Sequence, residues 1–328
     1  MRRGAILLVA LSLLVVACRA SAAEPTVPGD QPSATPAPTS TTTAPPAATT
    51  TVVPEDDAFP VSVPSDLGPV DIEDRPARIV SLSATATEML YAVGAGEQVV
   101  ATDLTSNYPD AATRTAKLDS FNFSVEEVAA LDPDLVILAF DFQGETVALA
   151  TLDIPFLLLG PPVDLAAAFS QLGAVGAATG HAPEAETLAT ALAAEIAEVV
   201  LSAEAIQGVT VYHEVDETLY SATSSSFIGD LYRRLGLVNI ADRADVAGPF
   251  PQLSAEFIVD QNPEFIFLAD ANFGVTVESV VERPGWETIT AVADGNVIPL
   301  DGDVAGRWGP RTVDLMRSIL EAIEQPVP

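Results

Sequence analysis

The chain has 328 residues, of which 48% are hydrophobic, enough apolar material for a sizeable core. Its formal net charge is -32, from 46 acidic and 14 basic residues, and Lys117 is the only lysine. Nucleic-acid binding depends on Lys and Arg contacts to phosphate, so this composition argues against nucleic acid as a partner.

The N-terminus has the pattern of an export signal. Arg2 and Arg3 precede an apolar run over residues 5–17, which is short for a membrane-spanning helix and typical of a signal-peptide core. Cys18 follows directly and is the only cysteine, so the folded part has neither a disulfide nor a cysteine nucleophile. Residues 1–17 are therefore predicted to be a signal peptide.

A linker is predicted over residues 18–58. Between residues 24 and 57 the chain is rich in Pro, Thr, Ala and Ser and contains no aromatic residue, Lys or Arg. Such a composition buries too little surface to fold, and its prolines favour an extended chain. The segment is expected to act as a tether ahead of a globular body.

Strands and helices alternate in the first half of that body. The pattern predicts an edge hairpin over 61–71, strands over 78–82, 99–102, 135–139 and 155–159, and helices over 84–93 and 125–131. Gly94, just after the first helix, is typical of a C-cap. Alternation of strands and helices predicts a parallel sheet, and we assign residues 59–160 to an N-terminal lobe.

A mostly helical stretch over 165–203 follows, divided by Gly180 and Pro183. We assign residues 161–205 to a connecting helix and residues 206–328 to a C-terminal lobe. The elements predicted there are strands over 209–214, 265–269 and 297–300, and helices over 227–235, 256–261 and 312–324.

One pattern occurs twice, at an offset of 130 residues. Residues 124–138 read SVEEVAALDPDLVIL and residues 254–268 read SAEFIVDQNPEFIFL. Each predicts a helix that begins at a Ser N-cap, ends near a proline and leads into a buried strand. Two copies indicate two similar lobes, and a ligand site is often built between such lobes.

Several of these segments resemble one known family. RIVSLSATATEMLYAVGAGEQVVA, FIGDLYRRLGLVNIAD and RWGPRTVDLMRSILEAI are similar to segments of the cobalamin and ferric-siderophore class of substrate-binding proteins of ABC importers, and the resemblance extends from Ile72 to Ile323. It implies an α/β fold of two Rossmann-like lobes with parallel sheets, joined by one long backbone helix, that closes little on its ligand. Residues 15–18 resemble the lipobox of bacterial lipoproteins, which implies that Cys18 carries a lipid; the alternative is an ordinary signal peptide with an incidental cysteine.

The resemblance also implies a docking role for two acids. Glu88 and Glu256 match family positions where one glutamate on the outer face of each lobe pairs with arginines of the membrane permease. Both are also placed early in predicted helices, where the helix dipole favours an acid. Helix capping therefore remains the alternative for each.

A polar pair is expected in the cleft. Asp303 and Arg307 match a stretch that lines the cleft of the cobalamin-binding member, where an acid and an arginine bind corrin amides. The alternative is a salt bridge within the lobe. Arg311 is expected to anchor the final helix.

Aromatic side chains are expected around the same cleft. Tyr220 matches an aromatic cleft position of the family, and Phe121 and Phe140 stand where the cobalamin binder has tryptophans. Trp308 is a further candidate beside Arg307. Flat apolar walls suit a macrocycle or an aromatic siderophore.

His213 is a candidate axial ligand to cobalt or haem iron, because it lies at the end of a predicted strand that faces the cleft. The alternative is a hydrogen-bonding residue at the rim. Two histidines are too few for the site of the related metal-ion binders, so no metal site of the protein itself is expected. Motifs of hydrolases and nucleotide-binding enzymes are absent from the sequence, so no enzyme activity and no cofactor are expected.

The resulting hypothesis is a lipid-anchored, monomeric extracytoplasmic binding protein that delivers a metal chelate to an ABC permease with its ATPase. A sensor or scavenger on the same fold remains the rival, with an enzyme as a further alternative. Anionic catecholates need several cations, and only Arg307, with Arg114 or Arg243, could supply them. We therefore rank a corrinoid first, a cationic hydroxamate siderophore second and haem third.

Overall fold

Two parallel β-sheets form the framework of residues 58–325, which are the residues that the computed structural model describes. The predicted signal peptide, Cys18 and nearly all of the predicted linker lie outside these residues. The described residues all belong to one compact unit. No helix between residues 58 and 325 combines the length and apolar character that a membrane crossing needs.

The first sheet has five strands and is preceded by a hairpin. The hairpin pairs β1 (Val61–Val63) with β2 (Val70–Ile72) in antiparallel fashion. The sheet strands are β3 (Ile79–Leu82), β4 (Val99–Asp103), β5 (Ala116–Leu118), β6 (Leu135–Leu138) and β7 (Phe156–Leu158). Their order is β5-β4-β3-β6-β7, and all neighbours are parallel. Every residue of β3 and β6 is buried, as central strands covered on both faces require.

Three helices belong to this lobe: α1 (Ala84–Ala92), α2 (Val125–Ala129) and α3 (Glu145–Thr151). The Ser83 hydroxyl caps α1 by accepting a hydrogen bond from the amide of Ala86. Gly94 follows the helix with φ +92°, a left-handed conformation that favours glycine. The predicted glycine stop of α1 is confirmed.

The connection between the lobes consists of α4 (Leu165–Thr179) and α5 (Ala182–Ser202). Gly180 ends α4 in the left-handed conformation, and Pro183 lies in the first turn of α5, where proline is tolerated. The predicted helical segment is therefore divided at the predicted residues. α4 packs against α1 of the first lobe and also contacts α6 (Phe227–Arg234) of the second.

The second sheet has four strands: β8 (Thr210–Glu214), β9 (Val238–Asn239), β10 (Phe265–Leu268) and β11 (Val297–Pro299). Their order is β11-β10-β8-β9, again with all neighbours parallel. Besides α6, the helices of this lobe are α7 (Ala255–Gln261), α8 (Val277–Val281), α9 (Thr290–Ala293), α10 (Gly302–Ala305) and α11 (Thr312–Glu324). The predicted α/β class with two lobes of parallel strands is confirmed.

The repeat seen in the sequence is also present in the structure. Ser124 caps α2 and Ser254 caps α7, each by accepting a hydrogen bond from an amide three residues on. The strand after α2, β6, pairs with β3, and the strand after α7, β10, pairs with β8. Each capped helix therefore leads into a strand that lies beside the first strand of its parallel sheet.

One continuous apolar cluster joins the two lobes through the connecting helices. It contains Ile79 of β3, Leu172 of α4, Ile196 of α5, Val211 of β8 and Met316 of α11, all buried. A large rotation of one lobe against the other would expose this packed surface to water, which costs free energy in proportion to the apolar area. Small closing motions are therefore favoured.

Candidate ligand-binding cleft

A cleft of about 590 Å³ lies between the lobes, where the strands of both sheets end. The first lobe contributes Leu82, Asp103 and Ala139, at or just after the ends of β3, β4 and β6. The second lobe contributes Val215 and Ala269, directly after β8 and β10. Ligands of open α/β sheets bind at the carboxyl ends of the strands, so this cleft is the candidate site.

Six of the seven residues predicted to bind ligand line this cleft: Phe121, Phe140, His213, Asp303, Arg307 and Trp308. Tyr220 does not. Its backbone forms a bridge with Gln252, and its side chain is 39% exposed. Tyr220 is therefore not among the residues that form the cleft wall.

Exposed phenylalanines border the cleft from both lobes. Phe142 stacks on Phe121 and on Phe140, with ring centroids 5.6 Å and 5.1 Å apart. Phe250 and Phe273 line the cleft on the side of the second lobe, and Phe273 is 88% exposed. A group of exposed aromatic rings beside a concave surface is typical of a binding site for an apolar or flat ligand.

Sequence reasoning missed Phe142, Phe250 and Phe273. Phe142 follows Phe140 by two residues after the end of β6, so a search for aromatics beyond strand ends could have found it. Phe250 and Phe273 lie in irregular segments or short turns without a periodic pattern, and no local signal marks them.

Arg307 crosses from the second lobe to the first and is only 6% exposed. It donates hydrogen bonds to Glu88 Oε1 at 2.8 Å, Asn107 Oδ1 at 2.9 Å, the Thr105 carbonyl at 2.8 Å and Asp303 Oδ1 at 2.8 Å. These bonds use both hydrogens of each terminal nitrogen. A ligand could recruit this guanidinium only by displacing one of these partners. The salt bridge between Arg307 and Asp303, which was the alternative to a ligand contact, is present, and it belongs to a larger interlobe network.

The predicted position of Glu88 on the outer face of the first lobe is wrong. Its side chain is 1% exposed, because α1 directs it toward the second lobe. Besides Arg307, it accepts hydrogen bonds from Arg311 Nη2 at 2.6 Å and Nε at 3.0 Å. Nor does Glu88 cap α1, since Ser83 does so. Hydrogen bonding to Glu88 raises the pKa of Arg311.

Glu256, by contrast, is exposed in the first turn of α7. The internal repeat places Glu126 at the equivalent position of α2, and it is exposed as well. Neither carboxylate makes a side-chain hydrogen bond or ion pair with another residue between 58 and 325. The structure thus offers one unpaired acid on a matching helix of each lobe.

His213 lies near the end of β8 and is 2% exposed. Its Nδ1 is 2.8 Å from the hydroxyl of Tyr232, and the two rings meet edge to face with centroids 5.7 Å apart. Burial lowers the pKa of His213 to about 4, so the imidazole is neutral near pH 7. His213 is thus an uncharged ring held by one partner at the wall of the cleft.

Trp308 and Asp303 are both held by side chains of other segments. The Trp308 indole donates to Gln171 Oε1 of α4 at 2.7 Å. Asp303 accepts from Asn107 Nδ2 at 2.6 Å in addition to Arg307. The polar edge of the cleft is therefore pre-arranged by contacts between the lobes.

A second buried polar cluster lies on the other face of β8 and does not line the cleft. Glu214 is fully buried and accepts two hydrogen bonds of 2.6 Å from Arg283. Asp270 has no hydrogen-bond partner for either oxygen among the described residues. Burial and the nearby Glu214 raise the pKa of Asp270 to about 6. Residues 58–325 contain no group of three or more His, Cys, Asp or Glu side chains arranged to hold a metal ion.

Three known proteins are similar to this chain, two of them in sequence and one in structure. The uncharacterized ABC transporter substrate-binding lipoprotein YvrC of Bacillus subtilis (strain 168) is 28% identical over 277 residues, 81% of this chain and 86% of that protein. The cobalamin-binding protein of Halobacterium salinarum is 27% identical over 281 residues, 81% of this chain and 74% of that protein. The solved structure of the periplasmic heme-binding protein RhuT from Roseiflexus sp. RS-1 in apo form has a TM-score of 0.67 and 26% identity, covering 75% of this chain and 97% of that one.

The family assignment follows from a match that spans most of the chain. Residues 79–304, from the first strand of the first sheet to α10, match the periplasmic binding protein family. The two-lobe architecture with the cleft between parallel sheets agrees with this match. The chain therefore belongs to the periplasmic binding protein family.

Proposed function

We propose that this protein is the extracytoplasmic substrate-binding component of an ABC importer, and that it captures a near-neutral metal chelate, first of all a corrinoid. The observation that carries the proposal is the cleft itself. It lies between two lobes and is bordered by exposed phenylalanines from both of them. Such a wall favours a large, flat, mostly apolar ligand.

The charges in the cleft favour a ligand without strong negative charge. Arg307 is the only Lys or Arg among the described residues that line the cleft, and its terminal nitrogens are already engaged. Arg114 and Arg243 do not line it. A buried carboxylate or catecholate would lack the cationic partners that such anions require. A corrin carries neutral amides at its periphery, which can form hydrogen bonds with the hydroxyl and carboxylate groups that line the cleft without burying an unpaired anion.

The relatives support the same ligand class. One is named a cobalamin-binding protein and another a periplasmic heme-binding protein, and both ligands are planar tetrapyrroles that hold a metal. YvrC is named an ABC transporter substrate-binding lipoprotein, which supports delivery to a permease with its ATPase and a lipid anchor at Cys18. The protein would then act as a monomer on the outer side of the cell membrane.

Docking to the permease is assigned to Glu126 and Glu256. They occupy equivalent positions of the repeat, are exposed, and keep their carboxylates unpaired within residues 58–325. A permease dimer could engage one acid per lobe with basic residues. Glu88 cannot serve, because two arginines of the protein itself already neutralise it.

Calorimetric titration tests the ligand. Cobinamide and cyanocobalamin are expected to bind more tightly than a ferric hydroxamate, and a ferric catecholate is expected not to bind. A catecholate that binds more tightly than either corrinoid would contradict the charge argument. Failure of all these chelates to bind would overturn the proposed ligand class, although not the family.

Haem stays behind the hydroxamate, because its two propionates would lack cationic partners in the cleft; the neutral His213 at the cleft wall is the observation in its favour. Haemin is therefore included in the same titration. Tight binding of haemin together with no binding of either corrinoid would reverse the ranking.

A further inference from the structure

We propose that the side-chain amide of Asn107 is an internal competitor of the ligand: it occupies the polar pair Asp303 and Arg307, and a peripheral carboxamide of the ligand takes its place. Asn107 thereby sets the affinity of the cleft and its selectivity for chelates that carry carboxamides. This inference rests on the proposed function, because it names a side chain of the protein that tunes the recognition of an amide-bearing chelate.

Asn107, Asp303 and Arg307 form a closed ring of three hydrogen bonds. Asn107 Nδ2 donates to Asp303 Oδ2 at 2.6 Å, and Asn107 Oδ1 accepts from Arg307 Nη1 at 2.9 Å. Arg307 Nη2 completes the ring by donating to Asp303 Oδ1 at 2.8 Å. An ionised aspartate offers only acceptors and an arginine only donors, so together they recognise a group that carries an N–H and a carbonyl side by side. A carboxamide is such a group, and in this structure Asn107 supplies it.

Among the partners of Arg307, Asn107 is the one that can leave at the lowest cost. Glu88 is a buried carboxylate, and Thr105 contributes a main-chain carbonyl. Asp303 carries a negative charge that balances the guanidinium. Asn107 is neutral and exposed, so its amide exchanges its bonds within the protein for bonds to water when it turns away.

The position of Asn107 allows such an exchange. Asp303 and Arg307 line the cleft, whereas Asn107 lies outside it, in the loop that follows β4. Withdrawal of the Asn107 side chain therefore frees polar groups at the edge of the cleft. A macrocycle between the phenylalanines carries its amides on flexible side chains at the ring edge, which suits this arrangement.

The consequence for binding has a definite sign. A site that must first open binds with an apparent affinity reduced by the fraction of molecules in which it is open. Removal of the Asn107 amide therefore strengthens the binding of a ligand that uses the pair. If Asn107 instead held Asp303 and Arg307 in position for the ligand, its removal would weaken the same binding.

Calorimetric titration of the purified full chain with dicyanocobinamide measures this sign. Cyanide fills both axial positions of its cobalt, so the affinity reports on the ring and its periphery. Asn107→Ala is expected to bind dicyanocobinamide about threefold to tenfold more tightly than the wild type, as the net contribution of a hydrogen bond predicts. Asn122→Ala is the matched control, because Asn122 is exposed in the same lobe and does not line the cleft, and it should bind like the wild type.

A second ligand tests which group is recognised. The heptamethyl ester of dicyanocobyrinic acid has the same corrin ring with methyl esters in place of the amides. An ester accepts a hydrogen bond from Arg307 but cannot donate one to Asp303, so it does not replace Asn107 in the ring of hydrogen bonds. Its affinity should gain less from Asn107→Ala than that of dicyanocobinamide. An equal gain for the ester would overturn the selectivity for carboxamides.

The exchange is also observable in the wild type, which keeps the test independent of the folding of any variant. In ¹⁵N-labelled protein, the side-chain NH₂ resonances of Asn107 should move on addition of dicyanocobinamide toward the positions of an amide in water. Melting curves without ligand show whether Asn107→Ala and Asn122→Ala are folded.

The outcomes distinguish this inference from the proposed function. Weaker or unchanged binding of dicyanocobinamide by folded Asn107→Ala, or Asn107 resonances that do not move, overturns the internal competitor and leaves the proposed function intact. Failure of the wild type to bind dicyanocobinamide or its ester analogue overturns the corrinoid as ligand and this inference with it.

Discussion

Arg307 and Glu88 form an ion pair of 2.8 Å across the two lobes, with both side chains almost entirely buried. Glu88 belongs to the helix that follows the first strand of the first sheet, and Arg307 precedes the last helix of the second lobe. Arg311 adds a second interlobe contact to the same carboxylate. Three charges are thus held together beside the cleft, where they fix how the lobes face each other.

Removal of one member of this cluster is expected to destabilise the protein strongly. Arg307→Ala removes one of the two arginine partners of the buried Glu88 and leaves Arg311 as the other, so the loss should be about 1–3 kcal/mol in the free energy of unfolding. Arg317→Ala is the matched control, because its 2.7 Å pair with Glu195 is about half exposed and should be worth less than about 1 kcal/mol. Denaturant unfolding measures both. Equal losses in the two variants would show that the interlobe cluster contributes no more than a surface pair.

Charge reversal at Glu126 of α2 and Glu256 of α7 should abolish transport without changing ligand binding. Glu126→Arg combined with Glu256→Arg is expected to abolish uptake in cells while ligand affinity stays within a factor of about two, since neither residue lines the cleft. Glu186→Arg combined with Glu321→Arg reverses two exposed glutamates on α5 and α11 and serves as the control. Normal uptake by the first double variant would refute the docking assignment.

Truncation of the exposed aromatics should weaken binding and spare stability. Phe121→Ala and Phe140→Ala each remove one ring from the cleft wall, and a loss of about 1 kcal/mol in binding free energy, roughly fivefold in Kd, is expected for each. Their melting temperatures without ligand should change little, because both rings are exposed. Tyr220→Ala, an aromatic truncation away from the cleft, should leave the affinity unchanged. An equal loss of affinity in Tyr220→Ala would show that Tyr220 contacts the ligand.

Local patterns in the sequence were sufficient to predict most of the framework. Ser124 and Ser254 mark two capped helices, and the apolar runs after them predict the buried strands β6 and β10. Six short elements escaped prediction, because segments of two to seven residues carry little measurable periodicity. They are β5, β9, α3, α8, α9 and α10. The cleft positions of Phe121, Phe140 and His213 follow from one rule, that ligands meet the carboxyl ends of parallel strands.

The environment of Glu88 could not be predicted in the same way. Its arginine partners are 219 and 223 residues away in the chain, and nothing near Glu88 indicates them. The family resemblance predicted a surface role for Glu88, but α1 directs this side chain into the interior. The internal repeat contained the better guide, because it pairs Glu256 with Glu126.

Lowering the pH should change the free energy of unfolding through two buried groups, His213 and Asp270, whose effects have opposite signs. The folded-state pKa of His213, about 4, lies below its ordinary value of 6.5, and Tyr232 is the polar group against its ring. The neutral imidazole therefore contributes its full share of the free energy of unfolding above pH 6.5. That share is lost as the pH falls toward 4, by about 2 kcal/mol between pH 7 and 5.

The folded-state pKa of Asp270, about 6, lies above its ordinary value of 3.8, with Glu214, Arg283 and Asp216 nearby. Its contribution is complete below pH 3.8 and is lost as the pH rises through 6.

Melting temperatures at pH 7 and pH 5, measured without ligand, separate these two effects. His213→Gln removes the group that acid destabilises, so its melting temperature should fall less between pH 7 and 5 than that of the wild type. Asp270→Asn removes the group that acid stabilises, so its melting temperature should fall more over the same interval and should be higher than the wild type at pH 7. A wild-type pH response in His213→Gln would mean that this imidazole is not held neutral by burial.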